Sequence, residues 1–260
     1  MGPPFILISP ASRGLGLGLA RHYLRTTTLP VVATHRSSAP DDIRTRLLSG
    51  LDNVDPQRLH LLHLELSSED SIASAAELLG KNREQSGNGD AYIHTAFLTG
   101  GILYPERQPA NFDAQHIRET FETNVISHLL MIKHFSPFLP PASASSGAAL
   151  AKWVHISARV GSVSDNRFGG WYSYRASKAA LNQVIRTFDL HLRAKKLPAV
   201  CIGVHPGTVK TDLSKEFWSS VPKEKLFEPE YAAERLAEVV HNLREDQRGR
   251  IWDWAGKEED

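Results

Sequence analysis

From one end to the other, the chain alternates short apolar, β-branched runs with longer stretches of helical spacing, and this alternation constrains the fold more than any other feature. Residues 5–9 form a short apolar run that ends at Ser9. A turn rich in Gly and Ser follows, and residues 15–24 then carry apolar side chains at helical spacing, which reads as strand, tight turn, helix. The same criteria predict strands at 30–34, 59–66, 91–96, 152–157, 199–204 and 250–254. Helices are predicted over 41–51, 68–79, 113–139, 172–195 and 229–243, the 113–139 segment being stopped by Pro140 and Pro141. Residues 81–90 and the small-residue stretch 143–149 read as loops.

Strands that alternate with helices require right-handed crossovers and a parallel sheet covered on both faces. No shift in composition divides the chain. The expectation is therefore an α/β fold: a single doubly wound, Rossmann-type domain over residues 1–260, with a mostly parallel seven-stranded sheet flanked by helices. The 260 residues, 41% of them hydrophobic, supply enough apolar material for such a core. A net charge of +1, with basic residues scattered, provides no field for nucleic acid or an anionic membrane. The single cysteine, Cys201, lies in an apolar run and reads as a buried thiol. The histidines show no ligand spacing, and no metal is expected. No segment approaches the ~18 apolar residues of a membrane span, and no signal peptide is visible, so the expectation is a soluble cytoplasmic protein.

The first strand runs into Ser9-Pro10-Ala11-Ser12-Arg13-Gly14-Leu15-Gly16. In a doubly wound sheet this is where a dinucleotide binds, with its pyrophosphate against the glycine turn and the helix N-terminus. Ser12, Arg13, Gly14, Leu15 and Gly16 are the candidate contacts. The spacing is not that of the usual three-glycine fingerprint, so the turn alone also fits simple close packing. Arg36 follows the second strand, where an acid would hold the ribose of NAD and an arginine suits the 2′-phosphate of NADP. Guanidinium is planar, charged and bidentate toward phosphate. With Arg13 inside the turn, NADP(H) is the expected cofactor.

Tyr174 and Lys178 open a predicted helix four residues apart, hence on one face. A tyrosine is a poor acid–base at neutral pH, and a neighbouring ammonium should lower its pKa. Such a tyrosine could give a proton to a carbonyl oxygen or take one from an alcohol.

The glycine turn, Asn124, Tyr174-x-x-x-Lys178 and Pro206-Gly207-Thr208-Val209-Lys210-Thr211 occur in an order that resembles the short-chain dehydrogenase/reductase family over nearly the whole chain. The stretches Ser157-Ala158-Arg159-Val160-Gly161-Ser162 and Gly169-Gly170-Trp171-Tyr172, with Trp252-Asp253-Trp254 near the end, resemble the C-factor-like and sniffer-type carbonyl reductases. The resemblance implies that Tyr174 is the acid–base, that Lys178 bonds the nicotinamide ribose, and that Asn124 kinks its helix and holds a relay water. It also implies cofactor contacts from Glu65, Leu66, Ala96, Pro206, Gly207, Val209 and Thr211. Relatives often pair through their two long helices, so a homo-oligomer is allowed.

Three departures from the family pattern matter. Pro10 stands where a glycine is usual, fixing φ and removing an N–H. His94-Thr95-Ala96-Phe97 replaces the usual Asn-Asn-Ala-Gly, with Gly100 or Gly101 as substitutes after a short insertion. The usual catalytic serine falls at Ala158, which leaves Ser157, Ser162 or Ser164 to serve, with Ser157 the first candidate, or none. The segment 212–228, carrying Phe217, Trp218 and Phe227, should cap the substrate, with Trp171 and Phe97 as further walls. The leading expectation is an NADP-dependent oxidoreductase acting on an aldehyde, ketone, quinone or alcohol. The alternative is an NADP(H)-binding sensor or partner-binding protein with weak or no catalysis.

Overall fold

The computed structural model describes residues 2–144 and 150–259. Its strands are β1 (Pro4–Ser9), β2 (Val31–His35), β3 (Leu59–His63), β4 (Tyr92–Leu98), β5 (Ala151–Ile156), β6 (Ala199–His205), β7 (Thr208–Val209), β8 (Leu226–Phe227), β9 (Ile251–Asp253) and β10 (Glu258–Glu259). The helices are α1 (Gly14–Thr26), α2 (Pro40–Leu48), α3 (Glu69–Gln85), α4 (Ala114–Phe121), α5 (Ser127–Phe135), α6 (Tyr172–Ala194) and α7 (Pro229–His241).

The main sheet runs β10-β9-β6-β5-β4-β1-β2-β3. Seven of its strands are parallel, and the eighth, β10, folds back antiparallel on β9. β10 exceeds the seven expected because two residues are too few to show a period. Asp253 makes the reversal, its Oδ1 accepting from the amides of Ala255 and Lys257. The strand order turns outward in both directions from the β1–β4 pair. In open α/β sheets the crevice beyond the carboxyl ends of the strands at such a switch point is where ligands bind.

Alternate residues of each central strand enter opposite cores. Leu7, Ala96, Trp153 and Cys201 join α3, α5 and α6 on one face, whereas Ile6, Phe97, Val154 and Ile202 join α1 and α7 on the other. Cys201 is fully buried, as its apolar run suggested. α3 runs on through Gly80 to Gln85, into the segment expected as a loop, because Ile72, Ala75, Ala76 and Leu79 anchor it to the core. The predicted 113–139 helix is divided by a π-helical turn, Glu122–Ile126, in which the Ser127 amide reaches back to the Glu122 carbonyl. Of the 143–149 stretch, residues 145–149 lie outside the described residues. No helix among the described residues is long and apolar enough to cross a membrane.

Candidate active site

The glycine turn leaves β1 at the switch point. The Ala11 amide bonds the Thr34 carbonyl at 2.8 Å, and the Pro10 carbonyl accepts from Thr99 Oγ1 at 2.6 Å. A side chain at Gly16 would meet that carbonyl at 2.0 Å, so the close approach of turn and β4 edge demands glycine there. Gly14 has a φ of +52°, a left-handed conformation suited to glycine. No side chain caps the first turn of α1 and no acid lies in it, leaving its amides free for an anion. These residues therefore fit a dinucleotide pyrophosphate.

Arg13 and Arg36 are both exposed at this end of the crevice. Arg13 Nη1 lies 2.8 Å from Asp212 Oδ2, and Arg36 Nη1 lies 3.7 Å from Glu65 Oε2. A third guanidinium, missed in the sequence, belongs to Arg46, whose Nη1 bonds the Ser12 carbonyl at 3.1 Å. Nothing local marks it, since it arrives from α2. Leu66 borders the segment after β4: a side chain added at Gly100 would meet Leu66 Cδ1 at 2.6 Å and Pro10 Cδ at 3.8 Å.

Ala96 is not at this edge. β4 runs two residues beyond it to Leu98, so Ala96 is fully buried, paired between Leu7 and Trp153. The edge position falls to Thr99, Gly100 and Gly101. Phe97 is likewise no pocket wall, because it packs into the core against Tyr23.

Tyr174 and Lys178 lie in the first two turns of α6, both buried. Lys178 Nζ donates to the Ile156 carbonyl at 2.8 Å and lies 5.7 Å from the centre of the Tyr174 ring. Across from them, Asn124 sits in the π turn. Its Oδ1 accepts from the Ile102 amide at 2.9 Å, and its Nδ2 donates to the Ile102 carbonyl and to Ser177 Oγ, each at 3.0 Å. Ser177 in turn donates to the Tyr174 carbonyl at 2.8 Å, so Asn124 is tied to the helix that carries the pair. A side chain at Gly101 would lie 3.7 Å from both Asn124 Oδ1 and Lys178 Nζ.

Burial sets the charges. It pushes the Tyr174 phenol up, opposite to the lowering expected from Lys178. It also pulls the Lys178 ammonium down to about 8. Desolvation therefore outweighs attraction across this pair.

Nothing in the sequence marks Glu106 as part of the site. It is buried, and its Oε2 accepts from the Ser173 amide at 2.7 Å while its carbonyl accepts from Trp171 at 2.7 Å. It thus caps α6 from the loop after β4. Only the fold brings these segments together.

Ser157 does not offer a hydroxyl to the crevice. It is buried, and its Oγ donates to Asn182 Oδ1 on α6. Ala158, next along the chain, is buried and carries only a methyl. Ser162 Oγ pairs with Ser164 Oγ at 3.0 Å and accepts from the Asp165 amide at 3.1 Å, holding its own loop.

The segment after β6 runs across to the glycine turn. Gly207 has a φ of +73°, and a side chain there would meet the Phe227 ring at 2.7 Å. Val209 packs with Phe227 and Ala232 in a small satellite core. Thr211 reaches the turn itself, its Cγ2 lying 3.0 Å from where a Gly14 side chain would begin. From Thr211 a 3-10 helix, Asp212–Ser220, spans the mouth. Its Phe217 packs on Trp171 at 4.8 Å between ring centres, and Trp171 stands edge-on to Tyr174 at 6.2 Å. Trp218 instead bonds Ser214 Oγ at 2.9 Å.

Known proteins share this fold. The chain is 33% identical over 189 residues to 1-hydroxy-2-glutathionyl-2-methyl-3-butene dehydrogenase of Rhodococcus sp. (strain AD45), covering 72% of this chain and 74% of that one. The NADPH-bound carbonyl reductase from chicken fatty liver superposes with a TM-score of 0.82 at 28% identity, over 99% of this chain and 95% of that one. The carbonyl reductase Sniffer of D. melanogaster shares the fold, with a TM-score of 0.81 at 24% identity over 99% and 98% of the two chains. The sequence model described as short chain dehydrogenase matches residues 4–221, and with that span and these relatives the chain belongs to the short chain dehydrogenase family of oxidoreductases.

Proposed function

We propose that the chain binds NADP(H) and reduces an apolar aldehyde, ketone or quinone, with Tyr174 as the acid–base group and Lys178 beside it. The observation that carries this reading is the buried Tyr174–Lys178 pair on one face of α6, tied through Ser177 to Asn124. The NADP(H) assignment draws support from the uncapped α1 N-terminus, the two arginines, and the NADPH-bound relative of the same fold.

In this reading residues 12–16 receive the pyrophosphate, and Arg13 and Arg36 the 2′-phosphate. Glu65 and Leu66 border the adenine. Pro206, Gly207, Val209 and Thr211 meet the nicotinamide and phosphates, and Lys178 meets the ribose. The nicotinamide, when bound, supplies or accepts the hydride. Tyr174 Oη gives its proton to the carbonyl oxygen. Because burial raises its pKa, the phenol holds that proton at neutral pH, the form that reduction needs. The Lys178 ammonium, with a pKa of about 8, then faces the phenolate left behind. Trp171 and Phe217 form an aromatic wall at Tyr174, and Ala158 adds no polar group, so a substrate with an apolar body suits the mouth.

The test is NADPH consumption with a panel of aldehydes, ketones and quinones, comparing the wild type with Tyr174→Phe. Turnover by the wild type, lost in Tyr174→Phe with NADPH binding retained, is expected. A second reading, an NADP(H) sensor with little catalysis, is favoured by one observation: Ser157 is engaged by Asn182 while Ala158 carries no hydroxyl. Tight NADPH binding with no turnover on any substrate would favour it and overturn the first.

A further inference from the structure

Two histidines that the proposed chemistry does not use lie buried behind the candidate site. His128 is on α5 and His155 on β5, with exposures of 2% and 0%. Their Nδ1 atoms are 2.7 Å apart. On the far side of His155, the indole Nε1 of fully buried Trp153 donates to Nε2 at 3.1 Å. On the far side of His128, Nε2 lies 3.2 Å from the Gly100 carbonyl oxygen.

The ends of this chain determine its direction. An indole N–H can only donate, and a carbonyl oxygen can only accept. His155 Nε2 must therefore be an acceptor, so His155 carries its hydrogen on Nδ1. That hydrogen goes to His128 Nδ1, and His128 carries its own hydrogen on Nε2 and donates it to Gly100. One arrangement satisfies every link, with both rings neutral. A proton added to His128 would set two N–H groups face to face between the Nδ1 atoms, and one added to His155 would set its Nε2–H against the indole N–H of Trp153. The charged neighbour of both rings, Lys178, disfavours that proton as well. Burial and Lys178 hold His128 at about 3, and burial, His128 and Lys178 hold His155 far below the ordinary imidazole range.

We propose that Trp153, His155 and His128 are positioning residues: a one-way hydrogen-bond chain that holds the Gly100 carbonyl and so places residues 100–102 against Lys178 and Asn124. Gly100 lies against Leu66 and Pro10, at the candidate cofactor wall. Gly101 leaves space beside Lys178 Nζ and Asn124 Oδ1. Ile102 has both backbone groups taken by Asn124. His128 and Asn124 are four residues apart across the π turn, so one helical stretch grips both ends of a three-residue segment. Without the His128 bond, the Gly100 carbonyl would be free to rotate and the glycine pair would lose its fixed path beside the cofactor. None of the three residues is placed in contact with substrate or cofactor.

The effect on binding rests on the NADP(H) reading, but the hydrogen-bond arrangement does not. The first measurement is therefore imidazole ¹⁵N NMR on the cofactor-free wild type. His155 should be protonated on Nδ1 and His128 on Nε2, unchanged between about pH 6 and pH 9. The reverse tautomers, or titration of either ring in that range, would overturn the proposal. The second is NADPH affinity by fluorescence, without substrate, in two variants. His155→Leu severs the chain and should weaken NADPH about tenfold, the effect of one lost positioning bond. His155→Asn keeps an amide that can donate to His128 and should stay within about threefold of the wild type. Equal weakening by both variants, or none in a folded His155→Leu, would refute the positioning role. A wild type with the expected tautomers and no NADPH binding would instead count against the cofactor reading alone.

Discussion

Lys178 is an ammonium in a site that excludes water, and its cost can be measured. Burial lowers its pKa from 10.5 to about 8. The folded state therefore binds this proton less tightly than the unfolded chain does. The penalty is complete below about pH 8, where both states are protonated, and fades as pH rises toward 10.5, because the folded protein loses the proton first. In energy the penalty is about 3 kcal/mol at pH 7 and about 1 kcal/mol at pH 10. Lys178→Met removes the charge while keeping a flexible chain of similar length. It also leaves the Ile156 carbonyl without its donor, an offset of about 1–3 kcal/mol. That offset is the same at both pH values, because a neutral amine would still donate, so it cancels when the two conditions are compared. The assay is urea unfolding of both proteins, without cofactor, at pH 7 and pH 10. The stability of Lys178→Met relative to the wild type should fall by about 2 kcal/mol between the two. A difference that does not change with pH would refute the reasoning, since it would mean that Lys178 is not a desolvated cation in the folded protein.

Two further outcomes follow from the site. Arg36→Asp should weaken NADPH about 10- to 100-fold, the size of lost charge-assisted bonds, and leave NADH little changed. Fluorescence titration with both cofactors checks this, and equal losses would remove Arg36 from the 2′-phosphate. Ala158→Ser should raise turnover about 100-fold by restoring a donor near the substrate oxygen, whereas Ser157→Ala should leave the rate unchanged because its hydroxyl is held by Asn182. An inactive Ser157→Ala would reverse that assignment.

The sheet, its parallel sense and the placing of the glycine turn, Tyr174 and Lys178 were legible because they rest on local rules. Periodicity marks the longer strands and the helices, crossovers have one hand, and residues four apart share a helical face. Cys201, central in its strand, was equally readable. What escaped depended on distances along the chain that no local rule spans. The end of β4 could not be fixed, so Ala96 was placed at the edge when its neighbours in β1 and β5 bury it. Ser157 was a plausible hydroxyl until Asn182 claimed it. Glu106, Arg46 and the Trp153–His155–His128 chain join segments that are far apart in sequence or on different elements. The direction of the Tyr174 shift belongs with them. Spacing alone put an ammonium beside a phenol and suggested a lowered pKa, but only the packed fold determines how much water is removed from both, and here that desolvation dominates. The sequence by itself determined the order of strands and helices and put the glycine turn, Tyr174 and Lys178 at the carboxyl edge of the sheet. Tertiary structure decided which of them are free to act and what charge they carry, because solvation and hydrogen-bond partners are properties of the packed fold.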